Sequence, residues 1–263
     1  MNNSRFRCLF SLCLLLIAVV PPAWSADAKK VLEKANQTYY NLKAHGFAGF
    51  SCQASPDFDA AYKDMTMDEA GRAQVLPAAK KIRFDLLVGP TGAALVSHQF
   101  AEAPPSEEIA DRIRKTASGM DQILSGFFQT WSSIMVNSPF GGADSDYRAE
   151  QLPNGHRLVT DSGKTQITLT MDHKFVLTLI EVKSPELAAT LHPQFEAHEG
   201  GLVLQSYEAT YQGNGSTQEL SVKIVYQDLD GLALPRGVEA VTITPQGRVD
   251  APIHFTGCQV KKH

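Results

Sequence analysis

The sequence predicts an α+β fold. It would have a single large curved antiparallel sheet, a half-open β-barrel of about 10–11 strands, with an N-terminal helix and apolar lid helices. Two observations predict it. From Ser145 onward the chain reads as one strand after another, separated by short turns such as Pro153-Asn154-Gly155 and Gly213-Asn214-Gly215. Sequential antiparallel strands usually pair with their neighbours, so this run favours one sheet. Between Ile109 and Ile134 apolar residues recur at steps of three and four, the strongest helical period in the chain, and such a stripe must be buried on something.

The elements follow in order. Arg5 and Arg7, the apolar run Cys8–Val20, the break at Pro21-Pro22 and the small residues flanking Trp24 form a secretory signal pattern, too short for a membrane span. Cleavage is expected after Ser25, leaving 26–263 as one domain with no repeat or long linker. Neither Cys8, after Arg7, nor Cys13, after Leu12, follows the small residue that a lipoprotein signal needs. Asp27 to Ala44 reads as a helix stopped by Gly46, with Val31, Leu32, Ala35, Tyr39 and Leu42 on its apolar face. Phe47 to Ala54 reads as a strand, and Pro56 to Ala79 as loop with some helix. Ile82, Phe84, Leu86 and Val88 alternate with Arg83, Asp85 and Leu87, and the Gly89–Gly92 turn returns the chain through Ala93 to Phe100. Ser106 with Glu107 and Glu108 caps the long helix. Gly119 and Gly126 weaken it by roughly 1 kcal/mol each relative to alanine, which predicts a bend or break; Pro139 ends it. The β run then includes Tyr147–Gln151, His156–Asp161, a segment through Ile167, Leu169 and Met171, Phe175–Val182, Leu202–Tyr211, Gln218–Gln227, Gly237–Thr244 and Ile253–Val260. Phe175–Val182 is apolar on both faces, as in a strand covered on two sides or awaiting lipid.

Composition excludes several classes. The chain has 263 residues, 43% hydrophobic and 20% charged, a globular balance rather than that of a disordered or fibrous chain. Its net charge of −4 becomes more negative by two once Arg5 and Arg7 leave, which argues against docking on nucleic acid or anionic lipid. The cysteines left after cleavage, Cys52 and Cys258, read as one disulfide in an oxidising compartment, joining the first strand to the last. A redox or metal pair is the alternative, but no C-x-x-C is present. The expected location is therefore periplasmic or secreted.

No motif carries catalysis: G-x-S-x-G, H-E-x-x-H and the P-loop are all absent. We expect no enzyme activity and no cofactor. Asp57, Asp59 and Asp64 lack the spacing, glycine and final glutamate of a calcium loop. His192, Glu196, His198 and Glu199 are the one local cluster suggesting a metal, but Pro193 rules out a helical pair, so a solvated loop is expected there. His254, between Ile253 and Phe255, is expected to point outward. Asn36-Gln37-Thr38 and Asn214-Gly215-Ser216 match glycosylation acceptors, without meaning in a bacterial periplasm. Met65, Met67, Met120 and Met135 are adaptable residues that suit acyl chains or ordinary packing equally.

Several segments resemble the superfamily of the periplasmic lipoprotein carrier LolA, which also includes LolB and the RseB/MucB regulators. They are Ala28–Ala35, Tyr40-Asn41-Leu42-Lys43, the Gly46–Cys52 strand, Asn137-Ser138-Pro139-Phe140, Tyr147 to Val159 and Val225 to Pro235. The last, from Tyr226 to Pro235, resembles a Tyr-x-x-x-Asp-Gly-x-x-Leu-Pro turn. The resemblance covers the chain in outline, but residues 54–80 and the cysteine pair do not map onto it. It implies a half-barrel whose concave apolar face, covered by helices, takes acyl chains of a lipid or lipoprotein. The expected lid residues are Ile113, Met120, Ile123, Phe127 and Trp131, and the expected sheet residues are Phe84, Leu86, Ile167 and Leu169. Plain core is the alternative for the helical stripe. Loading would exchange lid–sheet for lipid–sheet contacts, and Trp131→Asp would weaken capture without unfolding. A monomer is expected, with an envelope or membrane protein as a further partner. The competing readings are an envelope interaction or stress-sensing module with a filled core and, less favoured, a metal protein or hydrolase.

Overall fold

The structure, a computed structural model, describes residues 24–63, 69–102, 106–140, 146–213, 215–245 and 247–263, with side chains from Ala28 onward. The signal core, Asp64, Met65, Met67 and Asn214 lie outside these. Helix α1 (Trp24–Thr38) leads through a 3-10 turn at Lys43–His45 into β1 (Phe47–Pro56), the short α2 (Phe58–Ala61) and α3 (Glu69–Ala79). The hairpin β2 (Ile82–Val88) and β3 (Ala94–Phe100) precedes the long α4 (Glu107–Met135). Nine strands follow: β4 (Arg148–Leu152), β5 (Gly155–Ser162), β6 (Thr165–Met171), β7 (Leu177–Lys183), β8 (Leu187–His198), β9 (Gly201–Gly213), β10 (Ser216–Leu229), β11 (Leu232–Thr244) and β12 (Gly247–Lys262).

All twelve strands form one antiparallel sheet in the order β3-β2-β1-β12-β11-β10-β9-β8-β7-β6-β5-β4. The end strands β3 and β4 do not pair with each other, so the sheet stays open. Helix α4 packs against β3 and α1 against β4, so each end strand, a template for unwanted pairing, has a helix beside it. The chain's first and last strands pair inside the sheet, third and fourth from its β3 edge, where the Cys52–Cys258 disulfide joins β1 to β12 across a Cα separation of 4.2 Å.

The sheet holds one strand more than the upper expectation. The addition is β8, at the segment expected to be a solvated loop. Its polar residues and Pro193 conceal it. Pairing with β7 stops at Leu191, whereas pairing with β9 continues to His198. Pro193 therefore sits where β8 has a neighbour on one side only, which tolerates a missing N–H.

Two helix expectations are also corrected. Helix α1 ends at Thr38, not Ala44, because Tyr39 pairs with Leu202 and the Tyr40 amide donates to the Leu202 carbonyl at 3.0 Å. Gly46 still ends the following turn, in the left-handed region at φ 83°. Helix α4 runs unbroken for 29 residues through Gly119 and Gly126. Burial of Met120, Leu124, Phe127, Phe128 and Trp131 outweighs two glycine penalties of about 1 kcal/mol each. Ser106 caps it by accepting from the Ile109 amide at 3.3 Å.

The main core lies between α4 and strands β1, β2 and β9–β12, and a satellite core lies under α1 around Tyr39, Phe140, Leu158 and Leu177. A hydrogen-bond chain ties α4 to the sheet: Trp131 Nε1 donates to Tyr226 Oη at 3.1 Å, which donates to the Leu204 carbonyl at 2.8 Å. At the sheet's end, His98 on β3 pairs with Asp121 on α4 at 2.7 Å.

Candidate functional site

Helix α4 does not close against the sheet along its whole length. Seven residues are nearly two turns, so Gly119 and Gly126 lie on one helical face, with Ile123 between them. That face overlooks the far ends of β9–β12 across an open groove. The first chamber, about 410 Å³, lies between Met120 and Ile123 on the helix, Phe58 and Tyr62 at α2, and Thr242 and Val249 on the sheet. The second, about 320 Å³, continues past Ile123 between Phe127, Tyr207, Tyr211, Val222 and Ala240. Gly119, Ile123, Gln218 and Thr242 line both, so the chambers lie in series along the helix.

The glycines hold the groove open. A Cβ placed at Gly119 or Gly126 would meet nothing within 4 Å. Both conformations are ordinary helix, so neither glycine is there for a special φ. At each, the helix leaves out a side chain that would fill the space.

The walls are neutral and the outer rim is cationic. Arg112 and Lys115 are the charged residues among the described lining of the first chamber. Arg112 contacts Glu108 at 2.9 Å, and Lys115 has no partner among the described residues. Burial pushes the Tyr62 phenol above its ordinary value, against a hydrogen bond with Thr116. Burial also raises Tyr207, reinforced by Tyr211 and opposed by Thr130. Burial raises Tyr211 too. The phenols therefore stay protonated across the physiological range.

The nine expected ligand-lining residues are not brought together. Met120 and Ile123 line the first chamber, and Ile123 and Phe127 the second. Ile113, Trp131, Phe84 and Leu86 belong to the main core without lining either chamber. Leu169, with half-buried Ile167 packed on it, belongs to the satellite core under α1. The sequence reading missed Tyr207, Tyr211, Thr242 and Val249, which a strand pattern marks only as inward-facing. It weighed the two glycines for helix stability alone, although their seven-residue spacing was the available signal.

Among the described residues, no group of three or more His, Cys, Asp or Glu side chains is placed to hold a metal ion. His198 Nδ1 lies 2.8 Å from the Glu199 carbonyl, and Glu196 accepts from Gln205 at 3.0 Å. His254 is exposed on β12, as its alternation predicts. Among the described residues no helix is long and apolar enough to cross a membrane. No protein-family model matches the chain, and no curated protein or solved structure matches it.

Proposed function

We propose that the protein is an extracytoplasmic carrier or binding protein, not an enzyme, that holds the acyl part of a lipid or lipoprotein. The groove between α4 and the sheet is the observation that carries this reading. It is apolar, open to solvent and within the roughly 300–1,000 Å³ common for small-molecule sites. The disulfide fits an oxidising compartment, and the open antiparallel sheet with a helix over it agrees with the LolA-like resemblance of the sequence. The chain from Ala26, expressed in a bacterial periplasm, is tested by native mass spectrometry before and after organic extraction. A lipid-sized adduct removed by extraction is the expected result. A chain that copurifies without lipid and takes up none from mixed vesicles refutes the reading.

A second reading, an envelope protein-interaction module, is favoured by one feature of the opposite face. Leu87 and Leu95 stand opposite each other on β2 and β3 and are 45% and 65% exposed. Loss of a partner complex in Leu87→Ser/Leu95→Ser, with lipid content unchanged, would support that module.

A further inference from the structure

Resting on the hydrophobic-ligand reading, we propose that the groove takes a single acyl chain ending in a carboxylate, a long-chain fatty acid, with its head at Arg112 and Lys115. Three features of the groove point to this ligand. The first is shape. The chambers follow one helix face in series, a path for one extended chain rather than for two side by side. The second is length. Lys115 to Gly126 spans eleven residues, about 16 Å along the helix axis. Half the hydrocarbon thickness of a bilayer, the reach of one chain, is about 15 Å. The third is charge. The described charged residues at the rim are both cations, at the end away from Phe127. Glu108 offsets Arg112, and Lys115 has no partner among the described residues; Glu107 and Asp111 share Arg114, and none of these three is among the described lining of the groove. Of the two lining cations, Lys115 is therefore the one left for a head group, which matches the single charge of a carboxylate better than a dianionic phosphate.

The lysine and arginine stems can lie along the apolar wall while their heads stay at the water boundary. An anionic head seated there would interact more strongly than in bulk water, because the apolar groove lowers the local dielectric on one side. The methylene chain would then run past Gly119, over Ile123 and on to Gly126 and Phe127.

The test compares palmitate, palmityl alcohol, hexadecylamine and 1-palmitoyl lysophosphatidate by equilibrium dialysis against the full mature chain at fixed salt. Palmitate is expected to bind about tenfold more tightly than the alcohol and more tightly than the amine and the lysophosphatidate. Lys115→Gln, at an exposed position, should bring palmitate down to the level of the alcohol and leave the alcohol unchanged. Equal binding of acid and alcohol would overturn the head assignment and preserve the hydrophobic-ligand reading. Tighter binding of the lysophosphatidate would overturn the carboxylate, and tighter binding of the amine would overturn an anionic head. If none of the four binds, the hydrophobic-ligand reading falls and takes this inference with it.

Discussion

Replacing Gly119 and Gly126 by alanine should make the protein more stable. In a helix interior glycine is less favourable than alanine by about 1 kcal/mol. Neither new methyl group would meet an atom within 4 Å, so no clash subtracts from the gain. The double variant should gain about 2 kcal/mol, or a midpoint about 4–8 °C higher for a chain of this size. Gly119→Leu separates stability from binding. Leucine has nearly the helix propensity of alanine, so folding should hold. If a methylene displaces about as much volume as a water, roughly 30 Å³, its four side-chain carbons fill about 120 Å³ of a 410 Å³ chamber. A chain losing contact over four methylenes would bind more weakly by about 3 kcal/mol, on the order of a hundredfold. Thermal unfolding followed by circular dichroism and lipid retention by native mass spectrometry read the two effects separately. A destabilised double alanine variant would refute the reasoning, since it would mean that the space beside the glycines is already filled.

Other outcomes follow from the core, the disulfide and one histidine. Trp131→Asp should unfold the protein rather than selectively weaken capture, because Trp131 is wholly buried and hydrogen-bonded to Tyr226; even Trp131→Phe should cost about 2–4 kcal/mol in urea denaturation. Replacing both Cys52 and Cys258 by serine should lower stability by about 2–5 kcal/mol, less than the chain-entropy value of roughly 5 kcal/mol for so long a loop if the unfolded chain is compact; denaturation with and without reductant measures it. Burial lowers the pKa of His156 from 6.5, with smaller contributions from His173 and Lys34. Below 6.5 the unfolded state then binds more protons, so this residue's contribution falls as pH drops from there through the lower folded value. The pH dependence of the midpoint should be flatter in His156→Gln, and identical curves for the two proteins would contradict this.

The legible parts of the fold were those written in strict periods. Ile82, Phe84, Leu86 and Val88 are all buried as their alternation demands, and the α4 stripe, its Ser106 cap and the disulfide partners could be read directly. What failed to show was of two kinds. Strand β8 carries no clean alternation, because His192 to His198 pairs with β9 alone and its side chains mostly face solvent. The groove is defined by missing atoms at Gly119 and Gly126, and a propensity argument counts glycine only as a local cost. Choosing among Met120, Phe127 and Trp131 needs the helix's rotation against the sheet, which a stripe wide enough to face both core and groove leaves undetermined.

That rotation also constrains how a ligand could enter on the proposed reading. A lid that swings open as a unit would have to break the Trp131–Tyr226–Leu204 chain and expose the fully buried Phe128 and Trp131. Exposing those two aromatic side chains costs several kcal/mol before any ligand contact forms. The other half of α4 already stands off the sheet at Gly119, with solvent and the cations Arg112 and Lys115 at the rim. Loading from that end requires only local movement of Ile123, which is half-buried and lines both chambers. The helix thus divides its length into an anchor from Phe127 to Met135 and a groove wall from Arg112 to Gly126. Substitutions in the first half of this pair should lower stability and binding together, whereas a large side chain at Gly119 should weaken binding with no loss of stability.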